Sequence, residues 1–135
     1  MRRKLLAFSF ITMSIVLFFN ACNKADDAPV GTAVGKVVMT VDVRHHAWGV
    51  PGLPVYLKYN ATEFPGTNIS AYNISATTDQ NGSVQFKQLS LGNYYLYARG
   101  WDAVFGDTVV GYMPVVVDAS TAGGNLVDVT MYVSE

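Results

Sequence analysis

Apolar and polar residues alternate in short runs along most of this chain, and the runs are separated by turn-forming residues. Period-two alternation marks half-buried β-strands, because successive side chains of a strand point to opposite faces. From Ala33 to Val43, residues Val37, Met39, Val41 and Val43 fall on one face, with Val38, Thr40 and Asp42 on the other. Pro54 to Tyr59 sets Val55, Leu57 and Tyr59 against Tyr56 and Lys58. Ile69 to Thr78 is expected as a third, less regular strand. In the next two, Val84 and Phe86 alternate with Ser83, Gln85 and Lys87, and Tyr94, Leu96 and Ala98 alternate with Tyr95, Tyr97 and Arg99. Thr108 to Val117 is interrupted by Pro114, which cannot donate to a ladder and so belongs on a sheet edge or at a bulge. Leu126 to Val133 closes the series with Val127, Val129, Met131 and Val133 on one face.

The punctuation agrees with the alternation. Asp79-Gln80-Asn81-Gly82 is a turn, since Asn tolerates left-handed backbone angles and Gly adopts them freely. Leu89 to Asn93 makes the next one. Arg44 to Gly52, Asn60 to Asn68, Trp101 to Asp107 and Ala119 to Gly124 read as connecting loops. Seven short strands with no convincing helix after the first 21 residues predict an all-β sandwich. By alternation Tyr56, Tyr95 and Tyr97 fall on its outward face.

One stretch carries a family resemblance. Thr78, Asp79, Gly82, Phe86, Leu89, Gly92, Tyr94, Leu96 and Ala98 keep the spacing T-D-x-x-G-x-x-x-F-x-x-L-x-x-G-x-Y-x-L-x-A. It resembles the signature of carboxypeptidase regulatory-like domains of the transthyretin-like (prealbumin-like) superfamily. The likeness extends over about residues 34–134. It implies a seven-stranded Greek-key sandwich, usually non-enzymatic and found beside enzymes, receptors or surface anchors. It supplies no catalytic residue.

Residues 1–21 read as a lipoprotein signal peptide. Arg2, Arg3 and Lys4 precede an apolar run from Leu5 to Phe19, too short for a comfortable membrane span. Phe19-Asn20-Ala21-Cys22 resembles a bacterial lipobox, although Phe19 and Asn20 depart from the usual residues. Cys22 is the single cysteine, so it has no internal disulfide partner and stands where lipidation requires it. Residues 22–33 are then the lipidated Cys and a flexible tether, and 34–135 the sandwich domain. Lys24, Asp26 and Asp27 after the Cys resemble the export signal of surface lipoproteins in Bacteroidetes-type bacteria. The expected location is the outer membrane, lipid-anchored and surface-exposed, with a periplasm-facing arrangement as the alternative.

Charge narrows the partners. Removing Arg2, Arg3 and Lys4 leaves six basic against ten acidic residues, with no basic run. Nucleic-acid binding requires clustered Lys and Arg to neutralise phosphates, and is disfavoured. The chemistry-bearing residues are sparse. His45 and His46 are the only histidines. Adjacent residues of an extended chain point to opposite sides, so no shared metal is expected and no cofactor is implied. Asp79 and Asn81 lack the further oxygen ligands of a calcium loop. No nucleophile motif, paired carboxylates or phosphate-binding glycine loop occurs. Lys36, Asn125 or Asp128, and Glu63 are formal candidates for an intramolecular isopeptide bond like that of collagen-adhesin B-type repeats. Glu63, in a loop, and Lys36, at a strand start, speak against it.

What is left is aromatic. His45, His46 and Trp48 share one loop, Phe64 lies on the next, and Trp101 and Phe105 on a third. Alternate loops of a sandwich gather at one end. Exposed there, these rings could stack on a sugar or anchor a protein, since aromatics offer large rigid contact area. The plainer reading has Trp48 and Trp101 plugging the sandwich ends as core. Asp107-Thr108-Val109 resembles an O-glycosylation acceptor of Bacteroidetes-type envelopes, with Thr108 as the glycan site. The reading is therefore a lipid-anchored lipoprotein displaying a non-enzymatic binding or accessory module for a glycan or envelope protein. A purely structural protein associating through sheet edges is the alternative, and a hydrolase the weakest reading.

Overall fold

The computed structural model describes residues 36–135. The signal peptide, the lipobox Cys22 and the residues Lys24, Asp26 and Asp27 lie outside them. Eight strands are found among the described residues: β1 (Val37–His45), β2 (Trp48–Gly49), β3 (Pro54–Tyr59), β4 (Ile74–Thr77), β5 (Ser83–Leu89), β6 (Gly92–Asp102), β7 (Asp107–Val117) and β8 (Leu126–Val133). The strand not foreseen is the two-residue β2. The expected loop from Arg44 is instead a tight hairpin in which His45 pairs with Trp48.

The strands form two four-stranded sheets, making an all-β sandwich. In the first, β1 pairs antiparallel with β5 and β2 on one side and parallel with β8 on the other. In the second the order is β4-β3-β6-β7, all antiparallel. The alternation of β1 is realised fully: Val37, Met39, Val41 and Val43 are buried. They meet Val84, Phe86, Val127 and Met131 of their own sheet and Val55, Leu57, Leu96, Ala98, Val109 and Val115 of the other in one core. Pro114 lies in β7, at the edge of the second sheet, where its missing N–H costs no ladder bond.

The residues of the family-like signature shape turns or fill the core at eight of its nine positions. The Thr78 hydroxyl is buried, accepts from Leu53 N–H at 2.8 Å and donates to Val50 C=O at 2.6 Å, closing the β2–β3 connection. Asp79 Oδ1 accepts the N–H groups of Asn81 and Ser83, each at 2.9 Å, and so shapes the turn. Gly82 has φ +81, and a Cβ there would sit 2.6 Å from Gly49 Cα. Only glycine lets that turn pack against β2. Phe86 and Leu89 are both buried despite an odd spacing of three. A register shift in the β1–β5 ladder, with Gln88 at φ 59, supplies the extra residue that returns Leu89 to the core. Tyr94 is fully buried; its hydroxyl donates to Ser90 C=O at 2.7 Å and accepts from Ser90 N–H at 3.1 Å, bracing the tight β5–β6 connection.

Several expectations are corrected. Ile69–Ala71 is a 3-10 turn capped by the Asn68 side chain, and β4 keeps only Ile74–Thr77 of the expected third strand. Trp101 belongs to β6 rather than to a loop. Tyr95 and Tyr97 do point outward, yet both are buried, because residues of the β3–β4 connection fold over that face. Lys36, Glu63 and Asn125 are all exposed. The core positions of β1 and β8 where an isopeptide bond would form hold Met39, Val41, Val127 and Met131 instead.

Thr78→Val keeps the shape of the side chain and leaves Leu53 N–H and Val50 C=O buried without their partner. Denaturant unfolding should then show a loss of about 1–3 kcal/mol.

Candidate functional site

Two regions of the described domain concentrate chemistry. The first sits at one end of the sandwich, where the apolar interior stops. β1 continues its inward alternation one step past Val43 and buries His45, at 2 % exposure. β6 does the same with Asp102, inward by the parity of Leu96 and Ala98 and also buried. The backbone of Ser134 pairs with Val110 of β7, N–H to C=O in both directions at 2.8 and 3.0 Å, and this delivers Glu135 to the same place.

The three side chains form a chain of hydrogen bonds. His45 Nδ1 lies 2.9 Å from Asp102 Oδ2, and His45 Nε2 lies 2.9 Å from Glu135 Oε2. Asp102 Oδ1 accepts Val104 N–H at 2.8 Å. The hydrogen bond to Asp102, then that to Glu135, raises the His45 pKa above its ordinary value against the opposing effect of burial. Burial works to raise Asp102, but hydrogen bonds from Val104 N–H, His45 and Phe105 N–H together hold it below the usual carboxylate range. Glu135 is lowered by a hydrogen bond from its own backbone N–H and by His45.

His46 joins this group, against the expectation that adjacent histidines diverge. The chain is not extended at His46: its φ of 55 places it in the hairpin turn, and its ring folds back to stack on His45 at 4.5 Å. Phe105 packs its edge against both imidazoles, at 4.8 and 5.3 Å. Ligand atoms of His45, His46 and Glu135 all lie within 4.8 Å of one another, a potential metal-ligand group. The absence of a shared metal position, argued from extended geometry, therefore loses its premise.

The second region is the outer face of the second sheet. Tyr97 stacks on Tyr72 at 5.6 Å and on Tyr56 at 6.0 Å. Phe64 lies over Tyr95 and Tyr97 and stacks on Tyr112 at 4.7 Å. The unbroken β6–β7 register sets Tyr97 opposite Tyr112, Arg99 opposite Val110 and Trp101 opposite Thr108. The even spacing puts Trp101, Arg99, Tyr97 and Tyr95 on this one face. Trp101 is 61 % and Tyr112 57 % exposed. Tyr72 donates its hydroxyl to Gly66 C=O at 2.8 Å, which ties the covering connection down. Its pKa is pushed up to about 12 by burial, with Tyr97 and Tyr95 adding to the shift.

The loop aromatics thus divide between two places rather than one. His45, His46 and Phe105 gather at the sandwich end, while Phe64 lies on the outer sheet face. Trp48, opposite His45 in the hairpin, is 64 % exposed. Neither tryptophan plugs the core. Thr108 is exposed at the start of β7 beside Trp101. Sequence reasoning missed Asp102, Glu135, Tyr72 and Tyr112. For the two acids the signal was present: each continues the inward parity of its strand, a polar residue where an apolar one is due.

No protein-family model matches the chain, and no curated protein matches it significantly. Among solved structures, the major pilin subunit BcpA of Bacillus cereus is similar over 73% of this chain and 29% of its own, at 12% identity and a TM-score of 0.49. A point variant of that pilin gives 74%, 30%, 13% and 0.50. This chain therefore spans less than a third of the pilin subunit's length. A "putative carbohydrate binding protein" from Pseudomonas aeruginosa is similar over 76% of this chain and 92% of its own, at 18% identity and a TM-score of 0.47. At such identities the likeness concerns the fold alone.

The Tyr72 shift has a definite sign. A phenol whose pKa rises on folding keeps its full stabilising contribution below pH 10, the unfolded value, and loses it as pH climbs through about 12. Unfolding midpoints should fall across that alkaline window, and Tyr72→Phe should flatten the fall.

Proposed function

We propose that this chain is a lipid-anchored surface lipoprotein whose transthyretin-like, carboxypeptidase regulatory-like domain is a non-enzymatic binding module for a glycan. The observation that carries the reading is the row of aromatic side chains on the outer face of the second sheet. Trp101 and Tyr112 stand exposed there, Phe64 is partly exposed and stacks on Tyr112, and half-buried Tyr72 stacks on buried Tyr97 beside them. A sugar ring has an apolar C–H face and a polar hydroxyl rim. Exposed aromatic rings such as Trp101 and Tyr112 can take the face, and Arg99, exposed between Trp101 and Tyr97, offers donors to the rim. Rigid aromatics lose little side-chain entropy on contact, which favours binding by a preformed surface.

The anchor completes the reading. A diacylated or triacylated Cys22 holds the domain at the outer membrane stably, because two or more chains bury many CH₂ groups at about 0.8 kcal/mol each. Lys24, Asp26 and Asp27 would direct it outward, and Thr108, exposed beside Trp101, would carry a glycan of its own.

A structural role through sheet edges has one feature in its favour. An apolar groove of about 400 Å³ opens between β7 and β8, lined by Met113, Pro114, Val116, Val127 and Val129. Pro114 in that edge weighs against strand addition, since it offers no N–H.

Screening the full chain against polysaccharides should find a ligand. Trp101→Ala and Tyr112→Ala should each weaken binding about tenfold or more, and Trp101→Ala should leave the unfolding midpoint unchanged because that side chain is exposed. Self-association with no sugar bound by the wild type would instead support the structural role. Separately, mass spectrometry of the membrane-extracted protein should find acyl chains on Cys22, and Cys22→Ser should release the protein from membranes.

A further inference from the structure

The hydrogen-bonded group at the sandwich end does not belong to the aromatic face, and it brings three possible metal-ligating side chains within 4.8 Å of one another. Asp102 is buried and anchored by Val104 N–H, and it faces His45 Nδ1 at 2.9 Å. A proton on Nδ1 is fixed there, and the free lone pair of a neutral His45 falls on Nε2. That nitrogen faces not a donor but a carboxylate oxygen, Glu135 Oε2, at 2.9 Å. A lone pair set against a carboxylate repels it. The contact becomes attractive only with a cation between the two atoms, either a proton on Nε2 or a metal ion. His46, folded back by its positive φ, brings a third ligand atom within 4.8 Å of these two residues' ligand atoms.

We propose that His45 Nε2, His46 and the Glu135 carboxylate bind a divalent transition-metal ion of the zinc type, with Asp102 as the positioning residue behind His45. Two imidazoles and a carboxylate suit such an ion, and a carboxylate behind the histidine is the usual means of fixing its tautomer and raising its basicity. On binding, the ion takes the place of any Nε2 proton, which leaves to solvent. Ligand atoms of a tetrahedral zinc lie about 3.3 Å apart, given bond lengths of about 2.0–2.1 Å. His45 and Glu135 must therefore part slightly, and exposed His46 must close in from within its 4.8 Å limit and turn out of its stack on His45, because an ion lies in the plane of each ring that ligates it. The Glu135 side chain is 59 % exposed and His46 is exposed, so both can move, while buried His45 stays fixed. Phe105 walls one side with its ring edge. Three protein ligands leave a coordination position open, so the ion could accept a donor group from a partner molecule.

The test is zinc titration of the tag-free full chain after chelator treatment, by calorimetry and by thermal unfolding, with cobalt(II) absorption as a report on ligand geometry. The wild type should bind one ion per chain and unfold at a higher temperature with zinc, because the site exists only in the folded state. His46→Ala and Glu135→Gln should each lower affinity at least about tenfold and alter the cobalt spectrum. Because Glu135 bonds His45 and His46 stacks on it, each variant is compared with its own metal-free unfolding midpoint, and the zinc-dependent rise seen in the wild type should be lost in both. Asp102→Asn should weaken binding about 10- to 100-fold with the same ligands retained. No zinc-dependent heat or stabilisation in the wild type would overturn the proposal and leave a proton as the bridging cation. Equal binding by His46→Ala and Glu135→Gln would also overturn it, by placing the ion elsewhere.

Discussion

Everything in this domain depends on β1. It is the strand hydrogen-bonded along both edges in the first sheet, to β5 and β2 on one side and to β8 on the other. Its inward face is a run of valines and a methionine with no polar interruption until His45. A one-residue slip of such a strand would turn that whole face out to water, so its position is strongly specified. The parallel pairing with β8 then fixes where the end of the chain lies, and the β5 pairing fixes the family-like signature.

That arrangement has a consequence at the end of the strand. The apolar core stops at Val43, Gly100 and Val133, and the next positions of the same parity hold His45, Asp102 and Glu135. Burying such groups is favourable only when they satisfy one another. Asp102 and His45 do so almost out of water, and no buried side-chain polar atom among the described residues lacks a partner. The same principle applies in apolar form on the outer face of the second sheet. There Tyr95 and Tyr97 would be exposed, and the connection carrying Phe64 and Tyr72 covers them. Covering is incomplete toward Tyr112 and Trp101, which stay exposed to solvent.

The resemblance to carboxypeptidase regulatory-like domains is informative for what its residues do. Thr78, Asp79, Gly82 and Tyr94 each satisfy backbone groups or permit close packing in a turn. A signature made of turn chemistry travels with a fold and says nothing of a ligand.

The sequence alone determined the all-β class, the inward faces of β1, β6 and β8, the Asp79–Gly82 turn and the edge position of Pro114. These rest on local rules, alternation and turn chemistry, which act between near neighbours in the chain. Tertiary structure decided the rest. Residues 45, 102 and 135 meet because three strands end at one height, and that depends on register between distant segments. His46 joins them because a tight hairpin replaces an expected loop and reverses the direction of its side chain. Trp48 and Trp101 remain exposed because one sits beyond the core's end and the other on its outer face. No local pattern tells a tryptophan that plugs a sandwich from one that projects from it, since burial is set by what other segments bring alongside.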